Sequence, residues 1–263
     1  MKIALVQMHV DDRWALKTIP SFLSSAAQGA DLVVFPECMP FWNMTKPPAI
    51  EDAQALLVKA GKCCQGTAFM AGGYVKDGAK IRNASFLVHD GKIKGTYFKR
   101  IPWETEKFDP GEKAVCFKWD GFACIPLICA DAGDDPGPRR TRMVSEAVKA
   151  GAGENTPIIV CSFGGGLRTP YWHEPLHAWS AGCGAPVAIC GFAGTDAKQT
   201  YLDQNDITRK FGGGGSGVFW PDGTHSDQPT KRCIYIVDLD TRTTEIRPLP
   251  REYASRLCRF SAV

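Results

Sequence analysis

The stretch PLICADAGDDPGPRR, Pro126 to Arg140, sets a thiol, Cys129, where an apolar run gives way to turn-forming residues. Two other apolar runs end in a similar way. LVVFPE delivers a carboxylate, Glu37, and GTYFKRIPW delivers an ammonium, Lys99. A thiolate is the reactive form of cysteine, and it attacks a carbonyl carbon when a base takes its proton and donors receive the oxyanion. A carboxylate in a closed, partly apolar pocket has a raised pKa, so Glu37 could accept that proton and later hand it to a leaving amine. Lys99 and the backbone N–H of Ala130 could hold the oxyanion, a contribution on the order of 3 kcal/mol per donor. This chemistry splits an amide-like bond through a thioester that water then hydrolyses, and the expectation is that it needs no metal or organic cofactor.

Each residue also has an ordinary reading. Cys129 is one of eleven cysteines, and unpaired cysteine is a frequent core filler. Glu37 alone is a loop charge, and Lys99 beside Arg100 is a solvated edge-strand charge. What favours the site is that all three follow buried strands.

Those strands are the elements that must position the chemistry. KIALVQM is apolar at nearly every position, as in a strand covered on both faces. ADLVVFPE, TAFMAGGYV, FACIPLIC, PIIVCSF and PVAICGF read the same way, and ASFLVHDGKIKGTYF reads as a hairpin turning at Asp90–Gly91. Helical spacing marks residues 13–28 (interrupted by Pro20), 50–61, about 138–150 and about 173–183. GSGVFWPDGT and KRCIYIVDLD read as a hairpin-like closing pair, and residues 250–263 as an arm. Strands alternating with helices predict an α/β fold, and residues at the exits of such strands share a crevice. With no linker or repeat, the whole chain, 1–263, is expected to be one domain.

Composition narrows the function. A hydrophobic fraction of 44% and a charged fraction of 22% suit a globular protein with a full core. The formal charge of +3 comes without a basic block, against nucleic acid. No run approaches the roughly 18 apolar residues of a membrane span. The first residues meet Asp11 and Asp12 too early for a secretory leader. The expectation is a cytoplasmic protein with free thiols; the odd cysteine count and the lack of any CxxC argue against a disulfide framework and structural zinc.

KIALVQM, FPE, NASFLVHDGKIKGTYFK, ICADAGDDP, GSGVFWPDGT and YIVDLD, in that order, resemble segments of the nitrilase (carbon–nitrogen hydrolase) superfamily over about residues 1–240. The resemblance implies an αββα four-layer sandwich that often dimerises or forms higher homo-oligomers. It also implies a catalytic set with Cys129 as nucleophile, Glu37 as general base and Lys99 as transition-state stabiliser. KRIPWETEKFDPGE is similar to the amidase-like branch, which places a second glutamate after the lysine; Glu106 fits, and Glu104 remains an alternative. Asp131, two residues after the cysteine, resembles amide and carbamoyl hydrolases, where nitrilases usually carry glutamate. The implied substrate is a small molecule, most simply an amide, with nitrile and N-carbamoyl compounds as alternatives. ADAGDDPGPRR departs from the usual family text.

Phe41, Trp42, Trp103, Phe163, Gly164, Arg168, Tyr171 and Trp172 are candidates to line the pocket, against core packing or solvated-loop roles. HEPLH matches the H-E-x-x-H zinc pattern through His173, Glu174 and His177, but Pro175 disturbs the helix it needs and no third ligand is identifiable. A zinc hydrolase and a catalytically silent binding protein are the alternatives of another class.

Overall fold

Alternation inside single strands builds the layers. In the computed structural model Ile3 and Leu5 of β1 (Lys2–Gln7) enter one core, and Ala4 and Val6 enter a second. Leu32 and Val34 divide from Val33 in the same way in β2 (Leu32–Val34). The period of two makes each strand apolar at every position because both of its faces are covered.

The structure describes residues 1–9, 19–103, 106–133, 143, 145–146, 149, 155–162, 170–193, 200–202, 208–210 and 215–250, with backbone alone at 170–173, 200–202 and 208–210. The remaining elements are, in chain order, α1 (Ile19–Ala26, before β2), β3 (Pro40–Phe41), α2 (Ile50–Ala60), β4 (Ala68–Asp77), β5 (Lys80–His89), β6 (Lys92–Phe98), β7 (Phe117–Trp119) and β8 (Phe122–Ile128). There follow β9 (Ile158–Cys161), α3 (Pro170–Cys183), β10 (Val187–Cys190), β11 (Thr200–Leu202), β12 (Thr208–Lys210), β13 (Gly217–Phe219), β14 (Cys233–Asp238) and β15 (Thr244–Arg247).

One eight-stranded sheet runs β15-β14-β1-β2-β4-β5-β6 with β3 beside β4, and a five-stranded sheet runs β13-β10-β9-β8-β7. Their facing sides share the first core, which Tyr97, Phe117, Ile128, Val160, Ile189 and Tyr235 help to fill. Phe22 and Leu23 of α1 and Ala53 and Leu57 of α2 cover the outer face of the larger sheet, and α3 covers β10 and β13. The layers are helix, sheet, sheet, helix, as the α/β sandwich expectation requires.

The closing segments depart from the reading as a pair. β13 pairs with β10 in the smaller sheet, whereas β14 pairs with β1 in the larger. After β13 the chain turns back at once: Trp220 N–H bonds Thr224 O, and Ser226 N–H bonds Val218 O. The partner hidden beyond PDG is therefore local, and the chain then crosses between sheets. The expected helix near 13–28 is described from Ile19 onward. Of the one near 138–150, Met143, Ser145, Glu146 and Lys149 are helical, and the rest lies outside the described residues. The arm beyond residue 250 also lies outside them. Among the described residues no helix is long and apolar enough to cross a membrane.

Candidate active site

Three strand ends converge on one edge. β1, β2 and β4 run parallel, and two antiparallel steps through β5 make β6 parallel to β4. After β2, Phe35 N–H still bonds Met70 O at 3.0 Å. Pro36 then offers no donor, and the chain lifts off to present Glu37. After β6, Lys99 N–H bonds Asn83 O at 2.8 Å, which places its side chain at the last paired position. β8 ends at Ile128, and Cys129 opens a single 3-10 turn, Cys129–Asp131, with φ of +43°. A non-glycine residue in the left-handed region is strained, and such strain concentrates at functional sites.

Lys99 Nζ lies 2.8 Å from Glu37 Oε1 and 2.6 Å from Glu106 Oε2. Glu37 also accepts from Asn83 Nδ2 at 2.8 Å. Glu106 accepts from Trp103 N–H at 2.7 Å and from Tyr74 Oη at 2.8 Å. Ser162 Oγ, just past β9, lies 3.8 Å from Cys129 Sγ. Burial pushes the Glu37 carboxyl up and Glu106 adds to it, against the pull of Lys99 and Asn83. Burial works against the Lys99 charge, but Glu37, Cys129 and Glu106 together hold its pKa well above the ordinary lysine value. The arrangement can keep an ammonium beside a thiolate while a carboxylate of raised pKa exchanges protons.

Other cysteines sit differently. Burial pushes Cys124 and Cys190 well up, Cys64 and Cys161 up to about 12, and Cys183 and Cys233 up to about 11. Those thiols stay protonated at neutral pH and fit the filler reading.

Asp131 explains how the turn is held. Its buried carboxylate accepts from Tyr97 Oη at 2.7 Å, Arg100 N–H at 3.0 Å, Ile101 N–H at 2.9 Å and Ile128 N–H at 3.1 Å. It thereby ties the Cys129 turn to the segment that follows Lys99. Burial raises its pKa against Lys99 and these donors, yet three backbone N–H groups furnish the site for the ionised form.

Of the remaining candidates, Ala130 is the buried second residue of the turn. Trp103 is half-buried and gives its N–H to Glu106. Trp42 is half-buried and packs on a small cluster of Cys38, Tyr74 and Phe108, the last of which lies under the Lys99 ammonium at 5.7 Å. Phe41 is buried in the cluster that also holds residues of α1 and α2. Tyr171 and Trp172 lie in the first turn of α3, with side chains outside the described residues. Glu104, Phe163, Gly164 and Arg168 lie outside them altogether.

HEPLH does form part of α3, with Pro175 inside the helix. Glu174 is exposed, and the half-buried His177 ring packs edge-on against Phe219 at 4.8 Å; the His173 side chain is outside the described residues. Among the described residues, neither Glu174 nor His177 belongs to a group of three metal-ligand side chains. The zinc-hydrolase alternative therefore finds no support here.

Sequence reasoning passed over Asn83, Tyr74, Tyr97 and Ser162. Asn83 had a signal, an amide inside the apolar strand RNASFLV, since a buried polar side chain must find a partner. Tyr74 and Tyr97 look like ordinary aromatic strand residues until their hydroxyls are located.

A family model described as carbon–nitrogen hydrolase matches residues 2–247. Among solved structures, the NitN amidase of Nesterenkonia sp. AN1 is 21% identical, with 98% of each chain covered and a TM-score of 0.71. A cysteine-to-alanine variant of that amidase in complex with butyramide is 22% identical, with 92% of each chain covered and a TM-score of 0.70. A carbon–nitrogen hydrolase from Helicobacter pylori G27 is 19% identical, covering 92% of this chain and 89% of its own, with a TM-score of 0.69. These likenesses establish the sandwich fold. A search of curated proteins finds no match.

Proposed function

Since the chain belongs to the carbon–nitrogen hydrolase family, hydrolases of carbon–nitrogen bonds other than peptide bonds, we propose that it is a cysteine-dependent amidase acting on a small amide. The observation that carries this reading is the Lys99 ammonium lodged between Glu37 at 2.8 Å and Glu106 at 2.6 Å, close enough to Cys129 for a thiolate there to act on it.

In this proposal Glu37 takes the proton of Cys129 Sγ, and the sulfur attacks the amide carbon. The carbonyl electrons move onto oxygen, where Lys99 and the Ala130 N–H receive the negative charge. The oxyanion collapses, the C–N bond breaks, and Glu37 returns its proton to the departing nitrogen. Ammonia or an amine leaves a thioester on Cys129. Water, deprotonated by Glu37, adds to that thioester; the C–S bond breaks, the thiol regains its proton and a carboxylic acid departs. Glu106 acts through Lys99, fixing where the ammonium points. The homo-oligomer and the cytoplasmic location belong to the same proposal; light scattering of the purified chain and fractionation of its host cells test them.

An ammonia-release screen over small amides, N-carbamoyl compounds and nitriles tests the reading, with butyramide, which the Nesterenkonia variant binds, among the first compounds. Turnover of an amide is expected from the wild type and none from Cys129→Ala. Turnover that survives Cys129→Ala overturns the mechanism, and turnover of nitriles or carbamoyl compounds alone overturns the substrate class.

A further inference from the structure

The pole of the sandwich opposite Cys129 carries a second group of chemistry-bearing side chains. β5 passes the candidate site at Asn83 and ends at His89; β8 ends at Ile128, just before Cys129, and is preceded by Asp120. The β5–β6 turn, Asp90–Gly91, and the β7–β8 turn, Asp120–Gly121, thus lie together at the far end, one from each sheet. All four residues have positive φ, 47° and 66° in the first turn and 38° and 81° in the second, which brings both aspartates to the tips of tight hairpins.

Between the tips lies a buried imidazole. His89 is only 1% exposed, and neither of its ring nitrogens makes a hydrogen bond. Nε2 lies 3.3 Å from Asp120 Oδ2 and Nδ1 lies 3.7 Å from Asp90 Oδ2. One ligand atom from each of the three residues falls within 4.8 Å of the others. A buried polar side chain left without a hydrogen bond is costly and calls for an account.

We propose that His89, Asp90 and Asp120 bind a divalent transition-metal ion of the zinc type, which clips the two sheets together. Ligand atoms about 2.0–2.1 Å from a tetrahedral ion stand about 3.3 Å apart, the spacing already present between His89 Nε2 and Asp120 Oδ2. One imidazole and two carboxylates suit zinc, whereas magnesium and calcium favour oxygen alone. Asp90 Oδ2 stands on the Nδ1 side of the ring at 3.7 Å and joins the same ion by a small side-chain movement within the 4.8 Å that separates the three ligand atoms; its other oxygen, Oδ1, accepts Gly66 N–H at 3.0 Å, the kind of outer contact that holds a ligand in place. The fourth position faces solvent, because both aspartates are more than half exposed. The ion has no part in hydrolysis, since it sits at the other end of β8 from Cys129. Its effect is on stability, by joining the β5–β6 hairpin of one sheet to the β7–β8 hairpin of the other.

The test uses the full chain, stripped with a chelator and titrated with Zn2+ by calorimetry, and with Co2+ by absorption. Asp90→Asn and Asp120→Asn serve as variants, because exposed asparagine tolerates positive φ and leaves the fold intact. Expected are one ion per chain, a Tm rise of roughly 5–10 °C at about 100 times Kd, and affinity lowered at least ~10-fold in each variant. The cobalt spectrum should show visible ligand-field bands without thiolate charge transfer. No stoichiometric binding overturns the proposal, leaving His89 as a metal-free bridge between two carboxylates. Binding unchanged in both variants, or a thiolate band showing that cysteines take the ion, overturns it equally.

Discussion

Lys99 Nζ and Glu37 Oε1 are 2.8 Å apart, and the two side chains are 1% and 2% exposed. A charge pair sealed this completely is costly to break, because removing one partner strands the other: about 3–5 kcal/mol. Lys99→Met should lose stability on that scale at neutral pH. The deficit should also depend on pH. Without the ammonium, burial and Glu106 push Glu37 further up, so protonation of the carboxyl relieves the variant. A group whose folded pKa is raised contributes stability below its unfolded pKa and loses it as pH rises. The gap from wild type should therefore shrink as pH falls toward the carboxylate range. Urea unfolding at neutral and acid pH measures it, and a gap that widens in acid counts against the charge argument.

Two substitutions around Glu37 should move the acid limb of kcat/KM in opposite directions. Its pKa is raised by burial and by Glu106, and lowered by Lys99 and Asn83. Asn83→Ala removes a donor to the ionised form, so the limb should move to higher pH. Glu106→Gln removes a neighbouring negative charge, so the limb of the surviving activity should move to lower pH. Shifts in the same direction, or none, mean that the limb does not report Glu37.

The reactive trio and most of the strands were readable because each is a local pattern. An apolar run that ends in Pro36–Glu37, Lys99–Arg100 or Cys129–Ala130 announces itself. Boundaries held within about two residues where turn chemistry was strong, as at Asp90–Gly91, between β5 and β6. The same Asp-Gly signal at Asp120–Gly121 was overlooked, and β7 with it, because β7 has only three residues, Phe117–Trp119. β15 was missed for a related reason: Thr244–Arg247 is mostly exposed, so it has no apolar alternation to detect. What holds the site was less visible. Asn83, Tyr74 and Asp131 act on residues 32 to 46 positions away or lie across two strand ends, and such distances leave no trace in spacing. The sandwich itself was accessible only through resemblance, since alternating strands and helices are equally compatible with other α/β folds.

Asp131 should be a structural keystone of the nucleophile turn. It accepts one hydroxyl and three backbone N–H groups, more than a neutral amide can accept, and an amide would turn its own N–H2 toward one of those donors. Asp131→Asn should lose about 2–4 kcal/mol, and activity should fall because the turn carrying Cys129 and the segment after Lys99 are no longer tied. Tyr97→Phe removes only the hydroxyl and should cost about 1–1.5 kcal/mol. Urea midpoints separate the two; an Asp131→Asn protein as stable as wild type contradicts this assignment.

Two glycines, replaced by the same methyl group, should answer in opposite ways. A Cβ on Gly111 would meet Phe98 O at 2.2 Å, and Gly111 N–H bonds Lys99 O at 2.8 Å. Backbone cannot retreat as a flexible side chain can, so the segment from Glu106 to Gly111 must lift away from the end of β6. That segment is also pinned through Asp109, whose N–H bonds Ile81 O at 2.7 Å, so the strain falls on the Glu106 contact with Lys99. Gly111→Ala should lose about 1–3 kcal/mol and most of its kcat. Gly182 lies near the end of α3, and a Cβ there meets nothing within 4 Å. Gly182→Ala should gain about 0.5–1 kcal/mol from reduced freedom of the unfolded chain, with activity unchanged. Chemical denaturation and steady-state kinetics on both variants decide it. Equal stability of the two proteins would mean that the loop carrying Glu106 yields freely to the added methyl group.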